Sequence, residues 1–149
     1  MSGYVIFFGN SLISWKSKKQ STVSLSSVEA EYRSIRRLVA ELAWLSRLLH
    51  ELTITDVTPI PVKCNSKAAI YIAHNPVFHE RTKHIELDCH FVQEKLLADL
   101  ISLSHISTKQ QPADLLTKPL PGTLHHDLLC KLGIQRTTNL RGCTNYLVC

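Results

Sequence analysis

One long amphipathic segment constrains this fold more than any other feature of the sequence. It begins with a capping box that runs from Ser26 to Glu29. In such a box a serine hydroxyl and a glutamate three residues later bond each other's free backbone N–H groups. Apolar residues then recur at helical spacing, namely Val28, Ile35, Leu38, Val39, Leu42, Leu45, Leu49 and Leu52. This pattern predicts a helix over residues 28–52 that buries one face against other elements.

Shorter segments on either side show strand and helix patterns. Residues 4–8 and 12–15 are β-branched and aromatic and flank Gly9-Asn10, which predicts a β-hairpin. The later segments are predicted as a strand at 60–64, a helix at 67–73, a polar loop at 74–83, a helix at 84–100, a strand at 101–106, a helix at 113–118 opened by Pro112, and a helix at 123–132 ended by Gly133. This order predicts an α/β fold, a mixed sheet flanked by helices.

Length and composition fit one domain. The chain has 149 residues, of which we assign 1–134 to the domain and 135–149, polar and without period, to a poorly ordered tail. No apolar run approaches the roughly 20 residues that cross a bilayer, and the apolar stretch at 4–8 has no basic residue before it. Five cysteines without a CxxC pair indicate thiols. We therefore expect an intracellular protein, cytoplasmic or nuclear, that is neither membrane-bound nor secreted.

The charge is basic and unevenly distributed. Lys and Arg total 17 against 12 acidic residues, a net charge of +5. Residues 1–50 carry seven basic and three acidic groups, 51–114 carry six and eight, and 115–149 carry four and one. Lys16, Lys18 and Lys19 cluster at the end of the predicted hairpin. Basic ends around an acidic middle suit a polyanion partner, although a basic surface of this modest charge also occurs in proteins that bind none.

Oxygen ligands fall at the ends of predicted elements. Glu29 and Glu31 lie in the first turn of the long helix, Asp114 in the first turn of a late one, and Asn65 just after the strand at 60–64. Oxygen ligands that converge from distant segments are what a Mg²⁺ site needs. The alternative is that the helix dipole alone favours acidic residues in first turns.

A second polar cluster lies between residues 79 and 90. It contains His79, His84, Asp88, Cys89 and His90. These residue types can bind zinc, but their spacing matches no known zinc motif. We interpret them as the polar face of a surface helix.

Four long strings occur along the chain in one order: SWKSKKQ at 14–20, SSVEAEY at 26–32, NPVFHERTKHIELDCHF at 75–91 and QPADLLTKPL at 111–120. Together they resemble one family, the ribonuclease H domain at the C-terminal end of copia-type retrotransposon Pol polyproteins, especially those of plants. The resemblance runs from about residue 2 to residue 134.

The resemblance implies a fold and a chemistry. The family's fold is a five-stranded mixed sheet flanked by helices. Its four carboxylates hold two Mg²⁺ ions that cut the RNA strand of an RNA–DNA hybrid during reverse transcription. The implied partners are that hybrid and the upstream reverse transcriptase region. By position, Glu31 resembles the family's second carboxylate and Asp114 the fourth, while Glu29 is assigned to the capping box. Lys16, Lys18 and Lys19 become candidate contacts to backbone phosphates.

The sequence also departs from the family pattern. The family's first carboxylate lies on a central strand upstream of Ser2-Gly3-Tyr4, so we expect an N-terminally truncated domain without that strand. Asn65 stands where the family has an aspartate, and an amide offers one neutral acceptor oxygen. We therefore expect a catalytically defective ribonuclease H fragment that binds Mg²⁺ weakly and is marginally stable. The alternative is a non-catalytic remnant that binds nucleic acid or protein.

Overall fold

The computed structural model describes residues 2–19, 26–75 and 86–133. In chain order the elements are β1 (Ser2–Phe8), β2 (Ser11–Lys18), α1 (Ser27–Glu51), β3 (Ile60–Cys64), α2 (Lys67–His74), α3 (Glu86–Leu97), β4 (Ile101–His105), the 3₁₀ turns Thr108–Gln110 and Pro112–Leu116, and α4 (Gly122–Lys131). The α/β class predicted from the sequence is confirmed. Residues 135–149, which were predicted to form a tail, lie outside the described residues, as does most of the loop predicted at 74–83.

The helix α1 forms as its capping and periodicity predict. The Ser26 hydroxyl accepts a hydrogen bond from the Glu29 backbone N–H at 3.1 Å, which satisfies one of the free donors at the helix start. At the other end Thr53 adopts a left-handed φ of 64°, and the Ile54 N–H donates to the Leu49 carbonyl. This Schellman arrangement ends the helix because it uses the last carbonyls for bonds that reverse the chain.

The N-terminal hairpin is antiparallel. Its register pairs Ser2 with Lys18 and Phe8 with Ser11, with an irregularity between Ile6 and Phe7. The turn is made at Gly9, whose φ of 60° is a conformation that glycine adopts without steric cost. The strand β1 is buried over its first five residues, whereas β2 is largely exposed. The hairpin therefore presents β1, and not β2, to the interior.

The strands β3 and β4 are parallel, with Ile60 opposite Ile101 and Cys64 opposite His105. They form a two-stranded sheet that is separate from the two-stranded sheet of the hairpin. The sequence predicted one mixed sheet, and in the described residues the structure has two small ones instead. Within residues 2–19, 26–75 and 86–133, no strand joins β1 to β3 by backbone hydrogen bonds.

A single hydrophobic core nevertheless spans both sheets. One face of α1, centred on Ile35, Leu38 and Leu42, packs over β1 and β3 together. The side chains of β1 alternate between its two faces, so Tyr4 and Ile6 pack into this cluster. Val5, on the other face, packs into a second, smaller cluster. The other members of that cluster are Ile106, Leu132, Leu115, Leu116, Phe7 and Leu12. Apolar residues thus cover both faces of β1.

Two predicted helices differ from the structure. The α-helix predicted at 113–118 is a 3₁₀ turn, Pro112–Leu116, in which the Asp114 N–H donates to the Gln111 carbonyl three residues back. The helix predicted at 84–100 ends at Leu97. It ends there because Asp99 takes a left-handed φ of 51° and the Leu100 N–H donates to the Lys95 carbonyl. Neither an asparagine nor a glycine occupies this left-handed position, so the residue types did not predict the end of the helix at Leu97.

The shared core makes a quantitative prediction about Leu38, which is fully buried between α1 and the sheets. We expect Leu38→Ala to lower the free energy of unfolding by about 3 kcal/mol, because a buried isopropyl group is lost and a cavity remains. Urea denaturation measures this change. Leu48→Ala is the matched control on the same helix, since Leu48 is 40% exposed, and an equal loss in the two variants would contradict the packing described here.

Candidate functional site

The predicted ligands meet in one cavity of about 260 Å³. Three distant segments contribute them: α1 supplies Glu31, the end of β3 supplies Asn65, and the 3₁₀ turn Pro112–Leu116 supplies Asp114. The remaining lining residues are small or polar: Ser2, Gly3, Ala30, Ser34, Gln111, Ala113, Thr117 and Lys118. Of the residues predicted as metal ligands, the structure brings all three positions together.

Local structure fixes each of these positions. Asn65 lies between β3 and α2, and the Ser66 hydroxyl that follows it caps α2 by accepting from the Ala69 N–H at 3.2 Å. Asp114 is held in its turn by bonds from the backbone N–H groups of Thr117 and Lys118 to its carbonyl, at 3.2 and 2.9 Å. These backbone bonds place both side chains at the cavity without help from a bound ligand.

The hairpin packs tightly against the turn that carries Asp114. A Cβ atom at Gly3 would lie 2.7 Å from Cγ2 of Thr117 and 3.3 Å from Cβ of Leu116. The Ser17 hydroxyl donates to the Leu116 carbonyl at 2.8 Å. Glycine at position 3 therefore permits the close approach that sets the floor of the cavity.

Asp114 is already paired with a lysine. Its carboxylate oxygens lie 2.9 and 3.0 Å from Nζ of Lys118, four residues later. Asp114 is 5% exposed, whereas the lysine side chain reaches solvent. The pair neutralises the more deeply buried of the two carboxylates. Sequence reasoning did not assign Lys118 to the site, although its spacing of four from Asp114 is the spacing of helical ion pairs.

Burial raises the pKa of Glu31 above its ordinary value of 4.5. The Lys118 ammonium lowers this pKa and the Asp114 carboxylate raises it, and both effects are smaller than that of burial. The cavity thus disfavours a second full negative charge. A divalent cation would reverse this preference, because it would favour the charged form of Glu31.

The Glu29 side chain makes a contact that the sequence did not predict. Its carboxylate forms an ion pair with the Arg33 guanidinium at 2.6 Å, one turn along α1. Glu29 does not line the cavity that holds Glu31. The choice of Glu31 over Glu29 is therefore consistent with the geometry.

The donor set does not fit two Mg²⁺ ions. Two carboxylates and one neutral amide face the cavity, and Lys118 offsets one of the two negative charges. Mg²⁺ gives up its water reluctantly and needs anionic oxygens to replace it. Over the ranges 2–19, 26–75 and 86–133, no group of three His, Cys, Asp or Glu side chains could hold a metal ion.

Of the second polar cluster, the structure describes Asp88, Cys89 and His90. His79 and His84 lie outside the described residues. Asp88 forms an ion pair with the Arg36 guanidinium at 3.2 Å, and Cys89 is buried in the core. Asp88 therefore ties α3 to α1, which is a structural role.

A basic groove adjoins the cavity. We use this name for a depression of about 270 Å³ between β2 and α1, in which Lys16 and Lys18 face Arg36 and Arg37, with Glu41 as its one carboxylate. The groove shares Ser2 and Ser34 with the cavity.

Contacts within the groove fix its shape. The Arg37 guanidinium donates to the Ser2 hydroxyl at 2.7 Å. Burial, with a smaller effect of Glu41, raises the pKa of Tyr4 to about 12, so this phenol stays neutral.

The three lysines predicted as phosphate contacts differ in position. Lys16 and Lys18 line the groove, whereas Lys19 lies beyond the end of β2 and is not among the lining residues. Sequence reasoning missed Arg36 and Arg37. The signal was present, since both lie on the polar side of the α1 periodicity next to the buried positions Ile35 and Leu38.

Comparisons with known proteins identify relatives. The chain is 42% identical over 135 residues to the retrovirus-related Pol polyprotein from transposon RE1 of Arabidopsis thaliana, and 43% identical over 133 residues to that from transposon RE2 of the same plant. It is 39% identical over 120 residues to the Pol polyprotein from transposon TNT 1-94 of Nicotiana tabacum. Its homologues are retrovirus-related Pol polyproteins of plant transposons. This agrees with the resemblance of the four sequence strings to retrotransposon Pol polyproteins.

The matches cover most of this chain and little of each relative. They span 91%, 89% and 80% of the chain but 9% of each of the three polyproteins. No family model matches the chain, and no solved structure matches it. Among the helices of the described residues, none combines the length and the apolar character that a membrane crossing requires.

The raised pKa of Glu31 predicts a pH dependence. Because the folded protein holds this proton more tightly than the unfolded chain, the stability it contributes is present below pH 4.5 and is lost as pH rises through the folded pKa. We expect Glu31→Gln, which cannot lose a proton here, to gain free energy of unfolding relative to the wild type between about pH 4 and pH 7.

Urea denaturation at the two pH values measures the difference. Glu51→Gln, at the exposed end of α1, is the matched control. A Glu31→Gln variant that tracks the wild type at both pH values would show that the cavity does not penalise the charge.

Proposed function

We propose that this chain is the ribonuclease H-like region of a copia-type Pol polyprotein, and that it does not cleave RNA–DNA hybrids as it stands. One observation carries the proposal: Glu31, Asn65 and Asp114, which are up to 83 residues apart in sequence, line a single cavity. Glu31 and Asp114 lie in two of the four sequence strings, and Asn65 stands where the family that they resemble has an aspartate. If these three residues had unrelated roles on the surface, their convergence in one cavity would not be expected.

The charge in the cavity supports the loss of cleavage. In two-metal catalysis, anionic ligands hold two cations about 4 Å apart, so that one activates water and the other stabilises the leaving oxygen. Here Asn65 contributes a neutral oxygen, and the Asp114 carboxylate is bonded to Lys118. The remaining free carboxylate, Glu31, is itself shifted towards its neutral form. One net negative charge cannot balance two divalent cations.

The basic groove supports retained binding of nucleic acid. The groove is lined by basic residues and lies beside the cavity; these residues include Lys16, Lys18 and Arg37. A nucleic-acid strand with one phosphate in the groove would place its neighbouring sugar-phosphate unit near Glu31 and Asp114. Backbone contacts of this kind position a nucleic acid without reading its sequence. We therefore propose an RNA–DNA hybrid as the partner, bound through its phosphates.

The first test is a cleavage assay on a labelled RNA–DNA hybrid with Mg²⁺. We expect no cleavage by the wild-type chain, because too little negative charge faces the cavity. An active ribonuclease H on the same hybrid is the positive control, and a circular dichroism melt establishes that the chain is folded. Cleavage that scales with the chain and disappears in Glu31→Gln would contradict the proposed defect.

Asn65→Asp provides the matched gain-of-charge variant. A third carboxylate raises the affinity of the cavity for Mg²⁺, and isothermal titration calorimetry measures it. We expect tighter Mg²⁺ binding than in the wild type without restored cleavage.

The second test is the salt dependence of hybrid binding, measured by fluorescence anisotropy. Each lost phosphate contact reduces the slope of log K against log salt by about 0.9. We expect Lys16→Ala with Lys18→Ala to weaken binding and flatten this slope. The pair Lys109→Ala and Lys131→Ala removes the same charge away from the groove and should leave the slope nearly unchanged. Equal effects of the two pairs would show that net charge, and not the groove, binds the hybrid.

A further inference from the structure

The helix α1 carries a row of apolar side chains outside the hydrophobic core. Trp44, Leu48 and Leu52 follow one another at intervals of four residues, and each is between 40% and 60% exposed. Residues four apart lie on the same side of a helix, so we call these three the apolar stripe. Single exposed apolar side chains are normal on protein surfaces. Three in a row that include a tryptophan form a patch of the kind that marks an interaction site.

The apolar stripe is distinct from the face that α1 buries. The buried face centres on Ile35, Leu38 and Leu42. Leu48 lies six residues beyond Leu42, which is an offset of about 120° around the helix. Leu52, which the sequence periodicity grouped with the buried positions, is 60% exposed. Packing within the chain therefore does not explain why these positions are apolar.

Opposite charges lie along one edge of the stripe. Arg47 and Glu51 are exposed, and each follows a stripe residue by three positions, Trp44 and Leu48 respectively. In the described ranges, neither side chain belongs to an ion pair. A partner that covers the stripe must therefore present an acid to Arg47 and a base to Glu51, because charges of the same sign would repel there.

A second α1 helix has this complementary pattern. Consider an antiparallel pair of helices related by a two-fold axis at Leu48, so that each copy uses the same surface. Leu48 then meets Leu48 of the second copy, and Trp44 meets Leu52 of the second copy. The axis also brings the charged edges of the two helices together. Arg47 of one copy lies within two residues, about 3 Å along the axis, of the level of Glu51 of the other, and this pair occurs twice.

We propose that α1 pairs with α1 of a second copy of this chain, antiparallel about a two-fold axis at Leu48, to form a weak symmetric dimer. Three apolar side chains from each copy cover less than the roughly 800 Å² per partner of a stable interface. The dissociation constant is therefore of the order of 100 μM. At about 5 μM the chain is monomeric, so urea denaturation of the Leu38 and Leu48 variants measures the monomer.

The first test is sedimentation velocity of the 149-residue chain between about 5 and 500 μM, concentrations on either side of the expected dissociation constant. A reductant is present, because the chain has five cysteines. We expect the sedimentation coefficient to rise towards that of a dimer and no further, since a two-fold interface is closed.

A pair of matched variants locates the interface. Leu48→Glu places two carboxylates at the two-fold axis, and we expect it to weaken association by about tenfold or more. Leu97→Glu makes the same change at a leucine of α3 that is 87% exposed and outside the stripe, and we expect it to associate as the wild type does. Circular dichroism melts establish that both variants are folded.

A charge exchange tests the antiparallel arrangement. In a dimer of Arg47→Glu two acidic groups meet at each end of the interface, and in a dimer of Glu51→Arg two basic groups meet. An equimolar mixture of the two variants restores one acid and one base at both ends. We expect the mixture to associate about fivefold or more tightly than either variant alone.

Trp44 reports on the contact directly. The chain has two tryptophans, so Trp44 is the one indole that remains in Trp15→Phe. Burial removes an indole from water, and we expect its emission to shift to shorter wavelength as the concentration rises through the same range. The shift should be absent when Leu48→Glu is added to this variant.

Several results would overturn the proposed dimer. These are a chain that stays monomeric up to about 500 μM, equal association of Leu48→Glu and Leu97→Glu, and Trp44 emission that does not change with concentration. A mixture of the charge variants that associates no better than its components would exclude the antiparallel pair, and species larger than a dimer would exclude the closed two-fold interface. No nucleic acid is present, so these results are independent of hybrid binding and cleavage.

Discussion

The apolar face of α1 is the constraint on which the rest of the structure depends. Two small sheets without a shared ladder lie under it, and Leu38 and Leu42 pack against both. A two-stranded sheet alone is marginal in water. Each sheet is held because the same helix covers it, so the relative position of β1 and β3 is set by side-chain packing rather than by backbone hydrogen bonds. The position of the cavity between their ends therefore also depends on the packing of α1.

Charge balance in that cavity decides what its chemistry can be. Lys118 already bonds both oxygens of Asp114, and burial favours the neutral form of Glu31. Lys118 thus opposes the repulsion between the Asp114 and Glu31 carboxylates. The neighbouring groove has the opposite balance, with four cationic side chains to one lining carboxylate, and one of the four, Arg36, is also paired with Asp88 of α3. The anionic partner proposed above would be attracted to the groove and would encounter little cation-binding capacity beside it.

Sequence patterns predicted the elements well where local signals suffice. The capping box at Ser26 gave the start of α1, and the β-hairpin around Gly9 formed in the predicted place. The stop at Asp99 and the 3₁₀ geometry of Pro112–Leu116 escaped prediction, because neither shows the residue types that usually mark them. The convergence of Glu31, Asn65 and Asp114 followed from the family resemblance. The pairing of Asp114 with Lys118 has a local signal in its spacing of four residues. The bond from Arg37 to Ser2 instead depends on how α1 packs against the hairpin, which spacing along one chain does not encode.

The contact at Gly3 couples two distant parts of the chain in a way that is sensitive to a single atom. Hairpin and turn approach so closely there that one added methyl group would overlap Thr117. Thr117 also bonds the Asp114 carbonyl through its backbone N–H, so the residue that Gly3 contacts belongs to the turn that carries the acid. The hydrogen atom at Gly3 thus sets the spacing between the hairpin and this turn. A substitution at position 3 therefore changes the packing of the cavity wall while every polar side chain in the cavity keeps its identity.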